Sequence, residues 1–271
     1  MLRILLYLSM PTIAEVTDHL EFIAPLSLQE SYDNCGLLTG ERSGVCTGIL
    51  CTLDVTPAVV KEAILKNCNC IVAHHPLLFK GLKQITPTGF VEKSIIEAIK
   101  NNIAIYAAHT NYDAIINGVN GRIADKLGLV QRSFLWEKTP ETGSGLVGDL
   151  ALEMSAESFL HLLKDRFHLQ LVRFTHFRKS FIKKIAVCGG AGSFLISKAL
   201  SVEADAYVTA DIKYHEFFEA EGKLLLCDIG HYESEQFTKD LFLELLLQKF
   251  PTFAVLKSEV KTNPVNYFTG I

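Results

Sequence analysis

Three apolar runs in this chain each end in residues that can bind a cation. CIVA is followed by His74-His75-Pro76, IAIYAA by His109-Thr110-Asn111-Tyr112-Asp113, and LLLCDIG by His231-Tyr232-Glu233-Ser234-Glu235. Taken singly, each is ordinary: a turn, a helix cap, a polar helix start. Together they supply His74, His75, Asp113, His231 and Glu235, more donors than one tetrahedral zinc uses. Such a set suits two divalent ions, about 3.5–4 Å apart and sharing a carboxylate. The absence of thiolate donors from the set points to zinc, manganese, iron or another borderline metal. Two cations so placed would lower the pKa of water and clamp an oxyanion, which is the chemistry of hydrolysis.

These residues need elements that aim them at one place. Strands alternate with helices along the chain: GILCTLD, the helix PAVVKEAILKN started by Thr56 and Pro57, CIVA, VEKSIIEAIKN, IAIYAA, and a helix near GRIADKLG. That grammar implies a largely parallel α/β sheet with helices on both faces. In such sheets the functional crevice lies beyond the carboxyl ends of the strands, which is where the three polar clusters fall. Pro76 holds His75 in an extended or turn conformation. His231 and Glu235, four apart at a helix start, share one helical face.

The pattern breaks around residues 131–144 into the turn-rich SFLWEKTPETGSG, read here as a junction between lobes. A second set follows, with strands GLVGDLAL, LQLVRF, KKIAVCG, AYVTA and LLLCDI and helices SAESFLHLLKDRF, SFLISKALS, IKYHEFFEA and SEQFTKDLFLELLLQK. The expected architecture is two related α/β lobes with mostly parallel sheets: 1–130, then 131–230, with 231–271 packing back toward the first and no inserted third domain. The stretches TLDVTPAVVKEAILKNCNCIVAHH and AVCGGAGSFLISKALSVEADAYVTAD echo one another, as a duplicated unit would or as βαβ grammar does by chance.

Of the 271 residues, 49% are hydrophobic and the formal net charge is -4. That is ample material for a core, and it argues against a nucleic-acid surface. The seven cysteines are scattered, several inside apolar runs, the pattern of free buried thiols in a reducing, cytoplasmic setting. MLRILLYLSM is too short to span a bilayer and has no small-residue cleavage site. Thr12 and Glu15 form a capping box after Met10, so the first nine residues read as a misassigned start or a loose extension. No other run is long enough for a membrane span.

IVAHHPLLFKG (71–81), AAHTNYDA (107–114) and GHYESE (230–235) resemble the NIF-three-like family, also labelled GTP cyclohydrolase I type 2 homologues or YbgI-like proteins. YDNCGL (32–37), GLVGDL (145–150), AVCGGAGS (186–193) and ADAYVTADIKYHE (204–216) extend the match along almost the whole chain. The resemblance implies a dinuclear centre on His74, His75, Asp113, His231 and Glu235, in the cleft of a two-lobed fold, and a ring-like homohexamer. It places His109, Asp33, Asn34, Asp211 and His215 in the pocket or behind the ligands, although Asp33 and Asn34 could equally shape a turn and Asp211 cap a helix. Two positions depart from the pattern: Tyr32 replaces a usual Trp, and Ala210 a usual Gly.

Two divalent ions per chain are therefore expected, with a small-molecule substrate possible. The leading expectation is a metal-dependent hydrolase, opening the guanine ring of GTP or cleaving a phosphoester. The alternative is a non-enzymatic metal-handling or scaffolding ring. No P-loop is present, and GGAG (189–192) is either a phosphate-receiving helix start or a tight turn.

Overall fold

A computed structural model describes residues 10–176 and 180–268; the expectations for the first nine residues lie outside these. Helix α1 (Ile13–Ile23) starts where Thr12 and Glu15 cap each other. The Glu15 amide donates to Thr12 Oγ1 at 3.2 Å and the Thr12 amide to Glu15 Oε2 at 2.7 Å, closing the expected capping box. Strands β1 (Gly36–Thr39) and β2 (Ile49–Thr52) precede α2 (Pro57–Leu65), capped by Thr56 with Pro57 in its first turn. Next come β3 (Cys70–Ala73), α3 (Phe90–Lys100), β4 (Ala104–Ala107) and the single turn α4 (Thr110–Asp113). Helix α5 (Val119–Leu127) stops at Gly128, whose φ of 66° is the left-handed conformation glycine adopts without strain.

Strands β5 (Val130–Thr139) and β6 (Thr142–Met154) form an antiparallel hairpin, followed by α6 (Ala156–Phe167) on its Ser155 cap. The remaining elements are β7 (Arg173–Phe174), β8 (Ile182–Ala191), α7 (Ile196–Ser201), β9 (Ala206–Ala210), β10 (Leu225–Asp228), α8 (His231–Glu235), α9 (Thr238–Lys249) and β11 (Val255–Lys257).

The chain divides into two compact units. The first contains residues up to His109 together with Phe242–Thr262, and the second contains Thr110–Leu241 with the segment after Thr262. In the first, the strand order is β1-β4-β3-β2-β11, parallel throughout except for β1 against β4. Every residue of β2, β3 and β4 is buried, as a strand covered on both faces must be. Leu50, Ile71 and Ile105 pack against Val59, Val60, Ile95 and Ala98 from α2 and α3.

The second unit has the order β5-β6-β8-β9-β10-β7. Only β8, β9 and β10 are parallel to one another, so this sheet is mixed where the sequence suggested a mostly parallel one. The reason is local: Pro140 and Glu141 leave a two-residue connection between β5 and β6, which can join only antiparallel strands. The turn-rich stretch read as a junction is thus the hairpin itself. Helices α5 and α6 cover one face with Ile123, Leu127, Phe159, Leu163 and Phe167. Leu195, Ile196 and Ala199 cover the other beside Tyr207 and Leu226.

Two further segments differ from expectation. IKYHEFFEA, read as a helix, is a short 3₁₀ stretch over Glu216–Ala220, bounded by Asp211 and Glu221, both at positive φ (56° and 49°). LQLVRF is a strand only at Arg173–Phe174, paired with the edge of β10. The two segments that echo one another in sequence both fold as strand, helix, parallel strand: β2-α2-β3 and β8-α7-β9. Among the described residues no helix is long and apolar enough to cross a membrane.

Candidate metal centre

In the first unit, three imidazoles gather beyond the carboxyl ends of β3 and β4. Ring centroids are 4.8 Å apart for His74 and His75, 5.0 Å for His74 and His109, and 5.4 Å for His75 and His109. One nitrogen from each lies within 4.8 Å of the others, a spacing able to hold a metal ion. His109, read from the sequence as a pocket or supporting residue, stands here beside the two expected ligands.

Each ring is oriented through Nδ1. His74, fully buried, donates to the Ala108 carbonyl at 2.9 Å. His75 bonds Asp54 Oδ1 at 2.7 Å, and His109 both oxygens of Asp33 at 2.9 Å. The acceptors fix Nδ1 as the protonated nitrogen, which puts the lone pair on Nε2. This carboxylate–histidine or carbonyl–histidine pairing is the usual support behind a metal-ligating imidazole.

The topology explains how Asp33 arrives. Strand β1 runs antiparallel to β4 with Gly36 opposite Ala107, so residues just before β1 meet residues just after β4. Asn34 then ties this corner to the loop after His75, its Nδ2 donating to the Leu78 carbonyl at 2.7 Å. Asp54 lies just past the end of β2, one strand over from His75. Burial acts to raise its carboxyl, but hydrogen bonds from His75 and Thr262 and the charges of His75 and His74 outweigh this, holding it below the ordinary carboxylate value. Sequence reasoning passed over Asp54, although TLDVTP shows the same feature as the other clusters, an acid directly after an apolar strand.

In the second unit, α8 presents His231 and Glu235 on one face, His231 Nε2 lying 3.1 Å from Glu235 Oε2. His231 Nδ1 bonds Asp211 Oδ2 at 2.7 Å, so Asp211 supports an imidazole as Asp54 does in the first unit. Glu235 is 3% exposed. A methyl group on Gly190 would come within 2.5 Å of Glu235 Oε1 and 3.2 Å of the His231 ring, and Gly190 has φ 60°. GGAG is neither of the two alternatives: residues 189–191 are the irregular end of β8, whose register against β9 shifts between Val187 and Ala191. It makes room for the donors, and its Gly190 amide donates to Ser234 Oγ at 3.0 Å.

Asp113 ends α4. Asn120 links it to the end of β8, donating to the Asp113 carbonyl at 3.1 Å and accepting from the Gly189 amide at 2.9 Å. Both carboxylates reach Cys188: burial first, then the charges of Asp113 and Glu235, push that thiol up to about 12. Asp228, a second residue the sequence reading missed, is 5% exposed and shapes both loops by accepting from the Ile212 and Gly230 amides and pairing with Arg173 at 3.0 Å. His215 stands in an aromatic group, its ring centroid 5.2 Å from Tyr214 and 6.4 Å from Phe218.

The donors fit a borderline divalent metal: imidazoles with a fixed tautomer and carboxylates within the same units, without a thiolate among them. Residues 11–264 match the model of the Duf34/NIF3 (NGG1p interacting factor 3) family. The chain belongs to the Duf34/NIF3 family. A Clostridium perfringens relative, a "GTP cyclohydrolase 1 type 2 homolog", is 36% identical over 225 residues, covering 82% of this chain and 86% of its own. The Drosophila melanogaster "NIF3-like protein 1" is 31% identical, covering 98% and 92%. A crystal structure of a Staphylococcus aureus hypothetical protein superposes on this Duf34/NIF3 chain with a TM-score of 0.88 at 30% identity, covering 95% of this chain and 99% of that one.

Proposed function

We propose that the chain is a metal-dependent hydrolase with a dinuclear centre, its ligands His74, His75, Asp113, His231 and Glu235. The observation that carries this reading is the repeated support behind the imidazoles. Four of them, in two separate units, each turn Nδ1 to a carbonyl or carboxylate. A core histidine needs only some partner for its nitrogens, whereas metal ligands characteristically repeat this Nδ1 support. Bound ions would supply Lewis acidity and water of lowered pKa. The chain's own residues hold the donors: Asp54 and Asp211 orient His75 and His231, and Gly190 keeps space beside Glu235. His109, held by Asp33 next to His74 and His75, is placed to exchange a proton with a reacting group.

The Clostridium perfringens relative's name brings ring-opening hydrolysis of GTP as the first substrate to test, with phosphoesters beside it. Two ions per chain, a cytoplasmic setting and a ring-like homo-oligomer belong to the same reading. Seven free cysteines support the reducing compartment.

The test is elemental analysis of protein purified without added metal or chelator, followed by a hydrolysis screen. About two metals per chain and turnover abolished by chelation support the reading. Protein that takes up no zinc, manganese or iron overturns it, and metal-loaded protein without turnover favours a metal-handling role.

A further inference from the structure

Next to His109 in the first unit lies an open cavity of about 570 Å³, lined by residues that include Tyr32, Asn34, Leu78, Phe79 and Lys80. Its size is that of a small-molecule site. Two features set it apart from an ordinary surface hollow. Tyr32 and Phe79 hold their rings in the open, at 64% and 47% exposure, and rest on each other with centroids 6.4 Å apart and planes inclined by 36°. Phe79 in turn meets the His109 ring edge-on at 5.9 Å. The aromatic surface therefore runs from solvent to the imidazole cluster without a break.

This shelf is also anchored. Asn34 donates to the Leu78 carbonyl, one residue before Phe79, and Asp33 holds His109, one residue after Tyr32. Phe79 thus follows a backbone carbonyl held by Asn34, and Tyr32 precedes a side chain held by His109. Lys80 is the one cation among the lining residues and Asp33 the one carboxylate. Asp33 is committed to His109, which leaves the ammonium as the charge offered to a ligand.

We infer that Tyr32 and Phe79 form a stacking subsite for a planar heterocycle carrying an anionic group, as in a nucleotide, with Lys80 taking the anion. The inference deepens the hydrolase reading and rests on it for the identity of the reacting group. The stacking itself depends only on the first unit. An edge-on Phe79 between ring and His109 sets the ligand's ring within one side chain of the imidazoles, so the subsite would select which molecules reach them. Stacking tolerates any base because every base has a π-face. The shelf accordingly specifies the ligand class, and the choice among bases falls to other contacts.

The test uses four common nucleosides and GTP as probes, with inorganic triphosphate as a control lacking a ring, on full-length protein both as isolated and after chelation. Ring binding is read by saturation-transfer NMR of the base protons and by titration. Tyr32→Ala and Phe79→Ala should each weaken nucleoside and GTP binding about fivefold or more. Both should leave triphosphate binding, metal content and the melting temperature unchanged, and Tyr32→Trp should retain binding. Nucleoside binding that survives chelation but is lost in these variants upholds the shelf even if the hydrolase reading fails. No saturation transfer to any base at millimolar concentration, or equal weakening of triphosphate and GTP in the variants, overturns it.

Discussion

At the scale of single residues, the donors differ in what they should cost when removed. If Glu235 bridges two ions, Glu235→Ala loses both, whereas His74→Ala or His75→Ala loses mainly one; metal-to-protein ratios after gel filtration measure this, and equal loss in all three variants would count against a bridge. Asp54→Ala should weaken metal binding about 10–100-fold, because it withdraws the acceptor that orients His75. Competition with a chelating dye reads that change. Away from the site, Glu62 offers a cleaner titration. Burial pushes its carboxyl up, but the Glu259 amide at 2.9 Å, Lys66 at 2.8 Å and Ser258 pull it below its ordinary value of 4.5. A depressed carboxyl stabilises the fold above its unfolded value and loses that contribution as pH falls through the folded one. Glu62→Gln should therefore cost about 1 kcal/mol at neutral pH. The gap between variant and wild type in denaturant midpoint should close in acid.

At the scale of elements, strand ends do the positioning. The donor clusters were legible because each followed a short apolar run of strand length, and because Thr56-Pro57 and Thr12-x-x-Glu15 announce their helices. What the sequence hid was Asp54 and the partner that each support serves. Asp54 and Asp33 hold histidines 21 and 76 residues away, and only strand register brings them together. The β5–β6 hairpin was equally hidden, because its tip carries the turn formers that a junction would. GGAG was visible but misread, because a strand end with a positive-φ glycine carries the same residues as a turn or a helix start. Gly190→Ala should destabilise the fold by about 1–2 kcal/mol from its left-handed backbone alone. It should also dislodge Glu235, so that metal content falls by more than stability does; a variant with full metal content would show that this strand end is not reserved for the donors.

At the scale of the whole molecule, the chain leaves the first unit at His109 and re-enters it at Phe242. The returning segment contributes β11 beside β2, the Ser258 and Glu259 contacts to Glu62, and Thr262 to Asp54. Truncation after Pro251 should therefore lower hydrogen-exchange protection in β2 and α2 and weaken the hold on His75, while β8, β9 and β10 keep theirs. Loss of protection spread evenly over both sheets would contradict the division.

That return path also sets an order of events on the ribosome, where the chain emerges from its amino end and domains fold as they are completed. The histidine-bearing unit begins emerging first, yet it lacks an edge strand and the Phe242 ring that lies 6.5 Å from His74 until Phe242–Thr262 has been made. The other unit, inserted in the middle, has almost all of its residues by Leu241 and can fold ahead of it. Until that last segment is added, then, His74 and His75 belong to an unfinished scaffold, and the unit that starts first is the unit that matures last.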